Sequence, residues 1–387
     1  MSKLEELIQQ YCPDGVEYKT LGEATLMKRG TSATKGVMQE GDVPVISGGR
    51  QPAFYCDQSN RTGETITVAG SGAGAGYVQY WNEPIFVCDA FSVQGNEVLN
   101  TKFIYYYMTS IQEKIYATKK GGGVPHVHIS SIDKFEIPAP PLPVQEEIVR
   151  ILDTFTELQA ELQAELQKRL QQYNYYRDNL LSFEGRADVE WKRLGNICSV
   201  ITKGTTPPSF EQSGVSFVKT ECFDGITINK DKLSFVSESI HQTFLKRSIL
   251  NENDILITIA GATIGKCVLV PKEILPANTN QALAIIRVGN ENNYKYVFHI
   301  IRSGLMSQYI KKSIKGSAQP NLTLALLNDF IIPLPSFAEQ QRIVDILDRF
   351  DSLTNDLTQG LPAEIEKRKQ QYEYYRDKLL IFKRLNA

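Results

Sequence analysis

The 387-residue chain has none of the sequence features that mark membrane, secreted or disulfide-rich proteins. No run reaches the roughly 18 apolar residues of a membrane helix. The N-terminal segment MSKLEELIQQ carries acidic residues early and has no apolar core, unlike a signal peptide. The six cysteines form no CxxC pair, which predicts reduced thiols rather than a disulfide framework or a zinc site. A cytoplasmic protein without a bound metal is therefore expected.

Signatures of common catalytic sites are missing as well. The chain has no NPPY or DPPY sequence, which would place a target adenine for methyl transfer, and no GxxxxGK[ST] phosphate loop. In GATIGKC (261–267), a cysteine stands where that loop needs Ser or Thr, so a structural turn is favoured. The glycine-rich GSGAGAG (70–76) lacks the strand–GxGxxG–helix context and the following acid of a dinucleotide site.

The formal net charge is −2, but the charge is unevenly distributed. Residues 186–335 contain 17 Lys and Arg against 12 Asp and Glu, whereas residues 1–143 contain 12 against 15. The second half is therefore locally basic. Because only the charge on the facing surface matters to a phosphate backbone, the sum alone decides nothing about a nucleic-acid partner.

What the chain does contain is a long internal repeat. A shift of 195 residues aligns 125–155 with 320–350, and a shift of 199 aligns QQYNYYRDNLL (171–181) with QQYEYYRDKLL (371–381). Identical pairs in the first alignment include Phe135 and Phe330, Pro138 and Pro333, Pro140 and Pro335, Gln145 and Gln340, and Asp153 and Asp348. The chain is thus two copies of one plan.

Each copy is predicted to contain a strand-rich region, a proline-marked exit and a long helix. Short β-branched runs such as ETITVAG and DILITIAG predict the strands, and 102–120 and 295–315 are predicted as helices. After Pro143, apolar residues recur every three or four positions without Gly or Pro until Gly185, which predicts roughly 55–60 Å of helix. In the second copy, Gly360 and Pro362 should interrupt the helix.

The order of these elements resembles the specificity subunit of a type I restriction–modification system. The residues that carry the resemblance are LEELIQQYCPDGVEYKTLGE (4–23), the two exits GGGVPHVHISSIDKFEIPAPPLPVQEEIVRILDTF and GSAQPNLTLALLNDFIIPLPSFAEQQRIVDILDRF, and the ends YNYYRDNLLSF and YEYYRDKLLIF. The segment TELQAELQAELQ (156–167) is also similar to a tetrapeptide repeat in the central helix of one branch of that family.

The resemblance implies a non-catalytic, sequence-specific DNA-binding subunit of α/β (α+β) class. Two target-recognition domains (1–143 and 186–335) would be separated by two long antiparallel helices (144–185 and 336–387), in a pseudo-twofold arrangement. Each domain would read one half of a bipartite site in double-stranded DNA, and the helices would set the gap. The implied partners are two methyltransferase subunits and the restriction subunits. S-adenosylmethionine, ATP and Mg²⁺ would belong to those partners, with no cofactor in this chain.

Candidate DNA contacts are loops that combine a cation, glycine and small polar groups, since cations meet phosphates while polar side chains read base edges. His126 and His128 lie two apart in PHVHIS, where a DNA contact or an ordinary loop is favoured over a metal pair. The predicted contacts in the first domain are Lys28, Arg29, Thr31, Ser47, Arg50, Lys119, Lys120, Gly122, His126 and His128. Those in the second are Lys203, Thr205, Lys219, Asn278, Asn280, Gln281, Lys311, Lys312, Lys315, Ser317, Gln319 and Asn321.

The tyrosine-rich helix ends are the candidate docking surface for partner subunits, because tyrosine combines a large ring with a polar tip. The predicted docking residues are Tyr173, Tyr176, Arg177, Tyr372, Tyr375 and Arg376. For the arginines, an ordinary ion pair with the following aspartate is the alternative. For the whole chain, the alternatives are a coiled-coil scaffold that binds only protein, and a duplicated enzyme with sites in its glycine loops.

Overall fold

The computed structural model describes residues 2–33, 38–121, 123–261, 263–313, 321–355 and 360–385. The chain divides into two compact units, of which unit 1 comprises Met1–Glu161 and Ile365–Ala387 and unit 2 comprises Leu162–Glu364. Each unit therefore combines one strand-rich region with parts of the long helical segments, whereas the predicted boundaries gave the helices segments of their own. Within the described residues, no helix is long and apolar enough to cross a membrane.

The described residues of unit 1 form nine strands and the helices that cover them. The strands are β1 (Tyr18–Thr20), β2 (Leu26–Arg29), β3 (Val43–Ile46), β4 (Phe54–Cys56), β5 (Thr65–Ala69), β6 (Val78–Trp81), β7 (Phe86–Val87), β8 (Ala90–Gln94) and β9 (Glu136–Pro138). The helices are α1 (Lys3–Tyr11), α2 (Leu21–Ala24), α3 (Thr101–Ser110), α4 (Gln112–Ala117), α5 (Ile129–Ile132) and the start of α6 (Leu142–Leu180).

Unit 2 repeats this order with additional short elements. Its strands are β10 (Glu190–Arg193), β11 (Cys198–Lys203), β12 (Val215–Val218), β13 (Phe223–Asp224), β14 (Thr227–Ile228), β15 (Ser234–Val236), β16 (Ile255–Thr258), β17 (Cys267–Leu269), β18 (Ala277–Thr279), β19 (Leu283–Val288) and β20 (Ile331–Leu334). Its helices are α7 (Leu194–Ile197), α8 (Glu238–Gln242), α9 (Tyr294–Ile301), α10 (Gly304–Ser313), α11 (Leu324–Asp329) and α12 (Phe337–Asn355), and α13 (Leu361–Leu379) begins here and continues in unit 1. Its described residues also form short 3-10 helices at Thr220–Cys222, Lys230–Lys232, Lys246–Ser248 and Lys272–Ile274.

The same three sheets occur in both units. Unit 1 has a four-stranded antiparallel sheet in the order β2-β8-β5-β6, a three-stranded sheet β4-β3-β7 and the pair β1-β9. Unit 2 has β11-β19-β16-β17, β15-β12-β18 and β10-β20 in the same places, with the extra hairpin β13-β14. In each three-stranded sheet, one pair is antiparallel and the other is parallel. The repeat in the sequence is thus a repeat of topology.

The hydrophobic core of each unit lies between the four-stranded sheet and the helices. In unit 1, Ile66 and Val68 of β5 share a core cluster with Phe103 of α3 and with Ile148 and Leu152 of α6. The corresponding cluster of unit 2 includes Ile255, Ile257, Ile300, Ile343 and Leu347. Because full burial of one such side chain is worth about 1.5–3 kcal/mol, these clusters are the main source of each unit's stability. They explain why the β-branched runs of the sequence form strands here.

The long helices agree with the predicted pattern. Helix α6 is continuous over 39 residues, as its uninterrupted apolar spacing predicts. The second copy is divided into α12 and α13, and the division lies at the segment where Gly360 and Pro362 predict an interruption. The helices predicted at 102–120 and 295–315 each form a pair, namely α3 with α4 and α9 with α10.

Identical glutamines attach the long helices to the globular regions. In unit 1, buried Gln145 of α6 accepts a hydrogen bond from the Asn100 backbone N–H at 2.8 Å and donates to the Pro140 carbonyl at 2.6 Å. In unit 2, buried Gln340 of α12 accepts from the Asn293 N–H at 3.1 Å and donates to the Pro335 carbonyl at 2.9 Å. The two asparagines cap α3 and α9. We refer to these contacts as the helix anchors.

An ion pair completes each helix anchor. Lys102 donates to Asp153 at 2.8 Å in unit 1, and Lys295 donates to Asp348 at 2.5 Å in unit 2. Burial opposes ionisation of Asp348, but the hydrogen bonds from His299 and Lys295 outweigh it and lower the pKa of that carboxyl. These contacts explain the identities of Gln145 with Gln340 and of Asp153 with Asp348 in the sequence repeat.

Candidate nucleic-acid interface

The three predicted DNA-contacting loops of unit 1 meet around the glycine-rich turn at residues 70–76. The Gly70 N–H donates to the Asp89 carbonyl at 3.0 Å, and the Gly72 N–H donates to the Pro125 carbonyl at 3.0 Å. On the other side, a Cβ on Gly48 would lie only 2.3 Å from the Ser71 carbonyl oxygen, so this approach requires glycine. The turn therefore positions the loops and explains the run of glycines.

Aromatic rings hold two of the predicted cations of unit 1. The Arg50 guanidinium lies 4.9 Å from the centroid of the Tyr77 ring, and the Lys119 ammonium lies 4.1 Å from that of Tyr116. The side chains of Lys28, Arg29, Thr31, Arg50, Lys120 and His128 are exposed, and those of Ser47, Lys119 and His126 are half-buried. Gly122 lies outside the described residues. The described candidates of this unit are therefore surface groups.

A cavity of about 210 Å³ opens where these loops meet. Its lining includes Arg29, Cys88, Asp89, His126 and His128, and the two imidazole rings stack with centroids 6.0 Å apart. Asp89 was not among the sequence candidates, because nothing in the sequence distinguishes it from other loop acids. The convergence of four chain segments on the glycine-rich turn is what places it there.

Unit 2 brings together an equivalent set of loops. The end of β11 passes so close to β18 that a Cβ on Gly204 would lie 2.2 Å from the carbonyl oxygens of Thr279 and Asn280. The Thr206 hydroxyl contacts the Gln281 side-chain carbonyl. Lys203 and Gln281 are exposed, and Thr205 and Asn280 are half-buried. Lys219 is half-buried, pairs with Glu221 at 2.7 Å and lies 5.4 Å from the Phe210 ring.

Asn278 does not fit the predicted role in base contact. Its side chain is fully buried, its amide donates to the Leu245 carbonyl at 3.1 Å, and its oxygen lies 2.6 Å from His241 Nδ1. The parallel pairing of β18 with β12 carries this residue into the interior. Asn278 is therefore a structural residue that satisfies buried polar groups.

The second predicted cation loop of unit 2 is described only at its ends. Lys311 and Lys312 are exposed near the end of α10. Asn321 is exposed and forms an isolated bridge with Ala260. The predicted contacts Lys315, Ser317 and Gln319 lie outside the described residues.

The predicted docking residues divide into buried and exposed groups. Tyr173 is 2% exposed and Arg177 is 9% exposed, which does not agree with a surface role. Tyr372 and Arg376 are half-buried, and burial raises the pKa of Tyr372 to about 12. Tyr176 and Tyr375 remain accessible, at 42% and 40% exposure. The most exposed rings were missed: they belong to Tyr175 and Tyr374.

The two helix ends have the same aromatic arrangement. In unit 2, Tyr176 stacks on Phe350 at 5.8 Å and meets Tyr175 edge-on at 5.5 Å. In unit 1, Tyr375 stacks on Phe155 at 5.6 Å and meets Tyr374 edge-on at 5.4 Å. Each end therefore has one tyrosine fixed on the helix core and another that extends from it. We call each set an exposed tyrosine pair.

Comparison with known proteins decides the family. The family model for the type I restriction modification DNA specificity domain matches the chain twice, over residues 13–172 and 187–367. The chain belongs to the type I DNA specificity subunits. It is 31% identical to the specificity subunit of the Escherichia coli type I restriction enzyme EcoR124I/EcoR124II, over 99% of this chain and 97% of that protein. It is 32% identical to a putative type I specificity subunit of Haemophilus influenzae, over 95% and 96% of the two chains.

Solved specificity subunits share this fold. The S subunit of a type I restriction–modification system from M. genitalium gives a TM-score of 0.60 at 20% identity, over 95% of this chain and 96% of that one. A structure described as the basis of complex assembly and conformational transition of a type I system gives 0.61 at 18% identity, over 95% and 98%. These structures confirm the predicted mixed α/β class. The two family matches and the curated relatives confirm the internal repeat and the non-catalytic DNA-specificity role, and the scaffold alternative is not supported.

Proposed function

We propose that each unit of this specificity subunit reads one half of a bipartite DNA site, and that the long helices fix the number of base pairs between the halves. The observation that carries this proposal is the repeated topology with different side chains at equivalent loops. Asp89 and Ala282 occupy equivalent places. The Asp89 carbonyl accepts a hydrogen bond from the N–H of Gly70, the residue directly after β5. The Ala282 carbonyl accepts one from Ile259, the residue directly after the equivalent strand β16. Two such readers would recognise different sequences.

The surface cations fit a division of labour within each unit. Exposed lysines and arginines would neutralise phosphates and fix the register, while short polar side chains at the loop tips would contact base edges. The chain would read DNA in this way without chemistry of its own. S-adenosylmethionine, ATP and Mg²⁺ would be bound by the partner subunits, in the cytoplasm.

Replacement of residues 1–143 by the first domain of a relative with a different target tests this proposal. The recipient is a cell that also carries the methyltransferase subunits, and the readout is single-molecule methylome sequencing. One half-site should change, while the other half and the spacer stay the same. A swap that altered both halves would contradict independent reading.

We propose further that two methyltransferase subunits dock on the exposed tyrosine pairs, one on each, and that restriction subunits join that assembly. Support comes from the same aromatic geometry at both helix ends, because two equal surfaces suit two copies of one partner. Tyr175→Ala and Tyr374→Ala, singly and together, should reduce the number of bound methyltransferase subunits from two to one to none. Tyr55→Ala is the control, since Tyr55 is as exposed as Tyr374, at 55%, but lies on β4. Unchanged stoichiometry in the double variant would rule this surface out.

A further inference from the structure

The cavity of unit 1 contains an acidic group in surroundings otherwise suited to a polyanion. Asp89 follows β7 at the mouth of the cavity, and Arg29, Lys28 and Lys120 are exposed on segments that meet there. A carboxylate on a DNA-facing surface is repelled by phosphates, so it weakens binding to the backbone. The presence of Asp89 among these cations therefore indicates a role other than binding phosphate.

The position of the Asp89 carboxylate is fixed by the turn beneath it. A Cβ on Gly70 would lie 3.4 Å from Asp89 Oδ1, and the Ser71 hydroxyl donates to Oδ2. The backbone on either side is held by the hydrogen bonds from the Gly70 N–H to the Asp89 carbonyl and from the Gly30 N–H to the Ala90 carbonyl, at 3.0 and 2.9 Å. Within the described part of the chain, Asp89 forms no ion pair, so the remaining acceptor sites of its exposed carboxylate are available to a ligand.

We propose that Asp89 reads one cytosine of the half-site assigned to unit 1, by accepting a hydrogen bond from the cytosine N4 amine. Ionised carboxylates only accept hydrogen bonds, and cytosine presents N4–H₂ as a donor in the major groove. Adenine also presents an amine, but its N7 acceptor lies beside N6 and would face the carboxylate. The stacked rings of His126 and His128 line the same cavity. The proposal rests on the proposed function of unit 1 in reading a half-site.

The equivalent place in unit 2 makes the proposal specific to one half-site. Ala282 stands where unit 1 has Asp89, and its neighbour Gln281 contacts Thr206. A methyl group accepts no hydrogen bond. The base requirement of unit 2 must therefore come from other side chains, and changes at Asp89 should leave it untouched.

Three variants, expressed with the methyltransferase subunits, test the proposal by methylome sequencing. Asp89→Ala should make one C·G position of one half-site degenerate, with discrimination there reduced roughly 5- to 150-fold, the range typical of one base contact. Asp89→Asn keeps an acceptor for the Ser71 hydroxyl and adds an amide donor, so it should shift the same position towards adenine. Asp57→Asn, an exposed carboxylate of unit 1 outside the cavity, should leave the motif unchanged.

Each alternative result has a definite meaning. An unchanged motif in both Asp89 variants would overturn the proposal, as would relaxation at an A·T pair or at every position of the half-site. If Asp89→Ala failed to fold, the Asp89→Asn result would decide alone. Failure of the proposed function gives a different signature, because the intact chain would then direct no bipartite methylation, or the exchange of residues 1–143 would change neither half.

Discussion

The segment TELQAELQAELQ (156–167) within α6 allows a direct test of the role of the helix in spacing. Insertion of one further AELQ unit after Gln167 lengthens α6 by four residues. Leu158, Leu162 and Leu166 of the repeat are half-buried, and Glu157 and Glu161 are exposed. The insert continues this pattern, so we expect it to be accommodated as helix.

The size of the effect follows from helix geometry. Four residues rise about 6 Å and turn about 40° beyond one full turn, at 1.5 Å and 3.6 residues per turn. B-DNA rises about 3.4 Å per base pair and turns about 35°. The added rise corresponds to nearly two base pairs, whereas the added rotation corresponds to about one. The spacer should therefore grow by one or two base pairs, with the remainder taken up by helix packing and DNA twist.

Methylome sequencing of cells carrying the inserted variant and the methyltransferase subunits measures the outcome. Both half-sites should be unchanged, and the gap between them should be longer by that amount. Deletion of one unit should shorten the gap or abolish activity. Glu161→Gln controls for the change of composition without a change of length, and it should leave the motif as it is. An active insertion variant with the original gap would refute the idea that α6 sets the distance.

Three further predictions concern individual side chains. Asp254→Ala should destabilise unit 2 by about 3 kcal/mol in urea denaturation, because it removes the carboxylate partner of half-buried Arg287 and the acceptor of the Asn251 N–H, whereas exposed Asp231→Ala should change little. Hydrogen bonds from Arg150 hold the pKa of Glu147 at about 2, so the stability that this carboxylate contributes is present above pH 4.5 and lost as the pH falls towards 2. Thermal melts of Glu147→Gln should accordingly show a weaker decline over that window. Lys311→Ala with Lys312→Ala should reduce the salt slope of DNA binding by up to about 0.9 per lost phosphate contact, and an unchanged slope would remove these lysines from the interface.

Sequence periodicity predicted some of these positions better than composition did. Tyr173 and Arg177 lie four residues apart in α6 and face the same side as Leu180, so their burial follows from the helical repeat, while Tyr175 lies on the opposite face. The predicted docking set was chosen by residue type. Its members on α6 all lie on the face that packs inwards, so the choice missed the exposed ring of Tyr175. The long helices themselves were predicted correctly, because the spacing of their apolar residues is a local property of the chain.

Tertiary pairing accounts for what the sequence did not indicate. NTNQ (278–281) is polar throughout, and only the parallel pairing of β18 with β12 makes Asn278 a core residue beside His241. Asp89 likewise gains its position from strands and turns far apart in the chain. Such contacts join residues separated by tens of positions in the chain, so a local sequence pattern does not predict them.

The helix anchors bear on how recognition domains can be exchanged between proteins of this kind. A junction at residue 143 divides the anchor of unit 1: Asn100 and Lys102 travel with the incoming domain, whereas Gln145 and Asp153 stay with the recipient helix. An incoming domain is therefore compatible when it carries Asn and Lys two residues apart at the start of its own α3. The loops proposed to contact DNA take no part in that anchor. Recombination at this junction can therefore replace the recognition domain while the helix anchor is preserved.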